Sequence, residues 1–197
     1  KSFFIPNPSD KAFETLNNFN NSCNVDVFFA LSHGVHRGVL KSGKIDGRIT
    51  FLKNLVNITP DVKFDIYGID KVQPIWADHY FKTIMNAKMG LNLSRGDAIK
   101  YYSSDRITQI VGNGIVCLID EKTQYSNFFN NDEMIFYKNS NDLSEKIIKI
   151  SRDEKLRKKI GKKGKEKYTK HFNSDLVSRF ILEKTFDLPV RKKYFWE

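Results

Sequence analysis

Short apolar runs alternate with stretches of helical periodicity, and that alternation limits what this 197-residue chain can fold into more than any single motif. The runs are Val25 to Leu31, Val62 to Gly68, Met89 to Ser94, Gly114 to Asp120 and Glu133 to Tyr137. Each reads as a strand buried on both faces. Helical patterns lie between them at Asp46 to Ile58, Trp76 to Ala87, Ser103 to Gly112 and Asp142 to Ile150. Strand followed by helix, repeated, predicts an α/β domain: a parallel sheet with helices on both faces. Such sheets bind ligands beyond the carboxyl ends of their strands, where strand order reverses.

Punctuation supports this parsing. Ser140 or Asn141 can cap the helix carrying Leu143, Ile147 and Ile150, and Ser151 or Asp153 the basic helix after it. Gly161 and Gly164 weaken that basic helix. Asn173 or Ser174 starts a last amphipathic helix, which Pro189 limits before the basic, aromatic tail RKKYFWE. The leading KSFFIPNPSD has the Pro-Asn-Pro character of an extended connection. Two readings of it stay open, a linker between domains and an arm lying on the sheet edge. The expected division is therefore 1–22 linker or N-terminal arm, 23–172 sheet domain, and 173–197 last helix and tail.

The formal net charge of +10 favours anionic partners: phosphates, nucleic acid or an anionic membrane face. Much of it sits in RDEKLRKKIGKKGKEKYTKH, where a solvated helix face is the plain explanation. A basic nucleic-acid-binding protein stays in view as an alternative, although no RNA-binding or helix-turn-helix signature is present. Cys23 and Cys117 make no disulfide framework and read as reduced thiols of a cytoplasmic protein. No apolar run is long enough to span a membrane, the first residues do not resemble a signal peptide, and the chain reads as a piece of something longer.

Two segments carry chemistry. In VDVFFALSHGVHRGVLKSGKIDGR, a strand empties into a glycine-containing loop that leads to Arg37, Lys41, Lys44 and Arg48 before a helix. Strand end, flexible turn, helix amino terminus and fixed cations together hold phosphate. Arg37 is the first candidate because guanidinium binds a diphosphate in bidentate fashion; Gly34 permits close backbone approach, and Lys41 and Lys44 follow. The second segment, LNLSRG followed by KYYSSDR, supplies Arg95, Ser103, Ser104 and Arg106 after another strand. The competing accounts are ordinary ones: solvated loop cations, serines that only cap a helix, and Arg106 paired with Asp105. His33 is a candidate for the sugar or a phosphate, and Tyr67 with Gly68 for the nucleobase, with core packing as the rival for Tyr67. Together they suggest a nucleotide or nucleotide-sugar pocket.

The landmarks, in this order, resemble the C-terminal domain of GT-B glycosyltransferases, in particular the spore-protein-like branch of the group 1 families. The resemblance runs from about Ile5 to Phe186 and is clearest in SDRITQIVGNGIVCLID, where Arg106 falls on the family arginine and Gly114 on the family glycine. FFNNDEMIFYKNSNDLSEKI and RDEKLRKKIGKKGKEKYTKHF continue it. It implies a Rossmann-like domain that binds the nucleoside-diphosphate half of an activated sugar, with no cofactor and no metal. It implies an acceptor (a glycan, lipid or protein) held by an N-terminal domain not contained in this sequence, and a cytoplasmic setting, at most at the inner membrane face. Where many relatives carry two glutamates eight positions apart, this chain has Tyr101 and Gln109. Gln109 can still bond a ribose hydroxyl, without charge. Retention or inversion stays open, as does the catalytic base, and the same departures leave open a relative that binds a nucleotide or sugar without catalysis.

Overall fold

A computed structural model describes residues 2–31, 47–69, 72–190 and 193–197. Five strands form one all-parallel sheet: β1 (Val25–Ala30), β2 (Phe64–Tyr67), β3 (Ala87–Asn92), β4 (Val116–Asp120) and β5 (Ile135–Tyr137), in the order β2-β1-β3-β4-β5. The helices are α1 (Gly47–Ile58), α2 (Ala77–Ile84), α3 (Arg106–Val111), α4 (Ser140–Arg152), α5 (Glu154–His171) and α6 (Ser174–Thr185). This is the expected Rossmann-like architecture. Order reverses between β1 and β3, because the chain leaves β1 for β2 on one side and then returns to β3 on the other.

Successive strand residues feed two cores, as the period of two demands. Phe28, Cys117 and Ile119 face α3 and the aromatic residues of α5 and α6. Val27, Phe29, Met89 and Leu118 face α1 and α4. The α4 and α6 caps are Asn139 and Asn173, whose side-chain oxygens accept from backbone N–H groups of the first turn; Asp153 does the same for α5.

Several boundaries differ from expectation, each for a tertiary reason. Helix α3 begins at Arg106 rather than Ser103, because the two serines before it are committed to partners outside the helix. Strand β3 starts at Ala87, inside what periodicity assigns to the preceding helix. Helix α5 runs unbroken for 18 residues despite its glycines. At Gly161 a Cβ would sit 2.4 Å from the Gly114 carbonyl oxygen, so the small residue admits a close approach of helix to sheet. The basic charge of α5 is largely taken up locally: Lys159 and Lys163 pair with Asp132, Lys167 with Glu133, and Lys158 with Glu154.

The N-terminal arm does not lie along either edge strand. It crosses the junction of α5 and α6, where Ser9 N–H donates to Phe172 O (2.8 Å) and Ser174 N–H to Ser9 O (2.9 Å). Behind it, the side chain of Arg157 is buried and holds the 18–21 turn, donating to Asn18 O (3.1 Å) and Asn21 O (2.8 Å). The C-terminal tail folds back so that Tyr194 and Trp196 are buried against Phe180.

Candidate donor site

A cavity of about 500 Å³ opens at the carboxyl ends of β1 and β3, at the point where strand order reverses. Ala30 and Leu31 form its floor, Arg48 enters from the first turn of α1, and Ser94 and Arg95 follow β3. Helix α3 contributes Arg106 and Gln109, three residues apart and so on one face. Helix α2 contributes Tyr80, with Trp76 and Ala77 at its start.

The guanidinium of Arg106 is the best-defined group in the cavity. Nη1 donates to Ser104 Oγ (3.1 Å) and Nη2 to Leu93 O (3.0 Å), and the group lies 5.0 Å from the centre of the Phe29 ring. Nε is buried with no acceptor. Asp105 also lines the cavity and its charge acts on the guanidinium, but no carboxylate among the described residues forms a direct ion pair with it. Burial, and then the like charge of Arg48, pull its pKa below the ordinary arginine value. Tyr80 adds a second buried donor: its hydroxyl has no partner, and burial raises its pKa. A donor left unpaired in a protein interior costs about 1–3 kcal/mol. Three arginines (Arg48, Arg95 and Arg106) against one carboxylate, Asp105, with an unpartnered Nε and an unpartnered hydroxyl at the same cavity, make a place for an anion rich in acceptors.

Backbone geometry at the rim is unusual. Ala77 has φ +48° and Tyr101 φ +59°, in the left-handed region that costs a residue with a side chain roughly 1–2 kcal/mol. Each lies beside an exposed aromatic that lines the cavity: Trp76, 61 % exposed, and Tyr102, 50 % exposed. Such strain gathers where a site overrides local preference.

Five of the residues named from sequence therefore meet here: Arg48, Arg95, Ser104, Arg106 and Gln109. Ser103 does not line the cavity. It is 7 % exposed, its hydroxyl hydrogen-bonded to Asn7 and Tyr125, so it holds structure rather than phosphate. Tyr67 does not line it either, packing instead against Phe28 and His79. Gly68 turns the chain out of β2 at φ +79°, where a Cβ would fall 2.3 Å from Leu31 O; it shapes the floor without lining the cavity. His33, Gly34, Arg37, Lys41 and Lys44 lie outside the described residues. Sequence reasoning missed Tyr80 and Trp76, since an aromatic on an amphipathic helix looks like any core residue.

Residues 48–183 match the family model described as "Glycosyl transferase-like". No curated protein matches the chain by sequence. Among solved structures, TarM superposes on 95 % of this chain with a TM-score of 0.59 at 16 % identity, over 38 % of its own length. A second TarM structure, from S. aureus, is described as a complex containing UDP. Sucrose-phosphate synthase from Thermosynechococcus elongatus has a TM-score of 0.51 at 15 % identity, covering 77 % of this chain and 37 % of its own. The C-terminal domain of LpcC, a group 1 glycosyl transferase from Francisella tularensis, has a TM-score of 0.51 at 12 % identity, covering 86 % of this chain and 97 % of its own. This chain thus spans well under half of TarM and all but a little of an isolated C-terminal domain. With more than half of its length under the family model, the chain belongs to the glycosyl transferase-like family, and it has the fold of the C-terminal domain of a GT-B glycosyl transferase.

Proposed function

We propose that the cavity binds the diphosphate of a nucleoside-diphosphate sugar, and that the chain is the donor-binding half of a glycosyltransferase. One observation carries this reading: the Arg106 guanidinium lines one cavity with Arg48 and Arg95, its Nε buried without an acceptor and no carboxylate of the described residues within ion-pair distance of it. In the transfer, the bond from the anomeric carbon to the bridging phosphate oxygen breaks, its electron pair stays on that oxygen, and a new bond forms to an acceptor oxygen. Charge that builds on the leaving diphosphate is met by fixed cations in a partly desolvated cleft. Arg48 and Arg106 take that part, without a metal or cofactor, and Gln109 bonds the ribose. The acceptor is a glycan, lipid or protein held by an N-terminal partner domain, which also provides the base. UDP is the first nucleotide to test, as the TarM complex contains it, with GDP second. We place the reaction in polysaccharide biosynthesis on the cytoplasmic side, and liposome flotation with and without acidic lipid tests contact with a membrane face.

The direct test is a thermal-shift titration of the chain with UDP, GDP and pyrophosphate. A saturable rise in Tm that Arg106→Ala abolishes is the expected result. A flat response to all three sinks the donor-site reading.

A further inference from the structure

We infer that Asn7, in the N-terminal arm, is a positioning residue for the donor cavity, holding the Arg106 guanidinium in place through the 103–104 peptide. The inference rests on the donor-phosphate reading of that cavity. Asn7 Nδ2 donates both to Ser103 O (3.2 Å) and to Ser103 Oγ (3.1 Å), across 96 residues of sequence. The same Ser103 hydroxyl lies 3.1 Å from Tyr125 Oη, so it is gripped from two sides and buried. The next residue is the one that orients the guanidinium. Ser104 Oγ donates to Asn92 Oδ1 (2.7 Å) at the end of β3 and accepts from Arg106 Nη1 (3.1 Å).

Helix α3 is seated in the core by Ile107 and Ile110, but its exposed N-terminal side has no cap of its own. It spans six residues, and Asp105 before it makes no side-chain cap. Such a short helix depends on contacts from outside. The arm provides them and is itself anchored: Asn7 O accepts from Tyr168 Oη of α5 (2.7 Å), and the Phe4 ring stacks on Phe128 at 5.6 Å and leans on Tyr101 at 5.1 Å. Tyr101 in turn sits in left-handed backbone that needs such bracing, its N–H tied to Thr123 O (2.7 Å). One end of the 101–104 loop is thus held by Phe4 and the other by Asn7. A shift of the arm passes through Ser103 and Ser104 to the guanidinium.

The test compares the 197-residue chain with Asn7→Leu, which nearly keeps the shape and removes the donor without adding charge, and with Tyr125→Phe, which removes one hydroxyl and serves if the first variant does not fold. Calorimetry measures pyrophosphate and UDP affinity at a temperature where each protein is folded by circular dichroism. Amide hydrogen exchange is followed in the unliganded chain. The expected result is roughly a five- to tenfold loss of affinity, of the size one lost hydrogen bond to an ordered network gives, with faster exchange confined to residues 104–108. Unchanged exchange there, or acceleration spread evenly over β4 and α5, would mean that Asn7 only adds stability, and overturns the inference. So does altered exchange with unaltered affinity. If the parent chain binds neither pyrophosphate nor UDP, the donor reading has failed, and with it the positioning role; the exchange pattern then shows separately whether Asn7 braces α3.

Discussion

Arg157 and Arg106 are both drawn into the body of the molecule, yet their surroundings are opposite. Arg157 is 1 % exposed and spent: Nε and Nη2 reach the two oxygens of Glu154 at 2.8 and 2.6 Å, and the remaining donors go to the carbonyls of Asn18 and Asn21 and to Cys23 Sγ. Arg106 has no carboxylate partner among the described residues, an orphaned Nε and a second arginine nearby. A buried cation with its partners supplied ties chain segments together. One with partners withheld destabilises the empty fold and is compensated when an anion arrives. Completeness of pairing, more than burial, separates the structural arginine from the functional one.

The comparison breaks most readily at its structural end. Arg157→Ala empties a fully buried site and leaves two turn carbonyls without donors, while Glu154 keeps Lys158, and it is expected to cost about 3 kcal/mol of folding free energy. For a chain of this size that lowers Tm by roughly 6–12 °C. Pyrophosphate affinity, measured well below that transition, should not change. Arg106→Ala is expected to act chiefly on binding. Loss of a charge-assisted contact worth about 2–3 kcal/mol weakens pyrophosphate binding by roughly 30- to 150-fold, while Tm of the free protein falls less than in Arg157→Ala, since only one carbonyl, Leu93 O, loses its donor. Tryptophan emission offers an independent readout, since Trp76 is exposed at the rim and Trp196 is buried under the tail. A ligand in the cavity should alter the emission of Trp196→Phe as it does the parent, and leave that of Trp76→Phe alone. If both arginine variants lose stability and neither loses affinity, the distinction between them is wrong.

What sequence reasoning could reach follows from the range of the forces involved. The sheet was legible because each strand carries its burial in its own residues: VDVFFA and VCLID are apolar whichever helix covers them. Arg106 and Gln109 were legible through a local helix pattern with a family counterpart. The start of α3 was not, because Ser103 finds its partner in Asn7, 96 residues away, and no window of propensity contains both. Tyr80 was invisible for a related reason: its ring packs edge-on against Phe28 at 5.4 Å like any core aromatic, and only coordinates show that its hydroxyl lacks an acceptor. Arg48 was seen as the last of a run of cations, but sequence could not tell it from the three before it.

The smallest expected effect tests the pairing itself through acid. The Arg157 guanidinium, by hydrogen bond before charge, holds the Glu154 carboxyl below its ordinary value of 4.5. A lowered folded-state value means the unfolded chain takes up the proton first. The contribution is therefore present in full above the unfolded value and is lost as pH falls through the folded one. The Glu154 side chain is 48 % exposed, so solvent screens the interaction and the loss should stay under about 1 kcal/mol. Urea melts at pH 6 and at successive steps below pH 4.5 should show stability falling more in the parent than in Glu154→Gln, whose neutral amide has nothing to titrate. Arg106 has no acidic partner of this kind, so Arg106→Ala should leave the parent's acid slope in place. An equal slope in Glu154→Gln would mean that the carboxylate contributes nothing and that Arg157 is held by the two carbonyls alone, which would narrow the contrast between the two arginines to a matter of backbone acceptors.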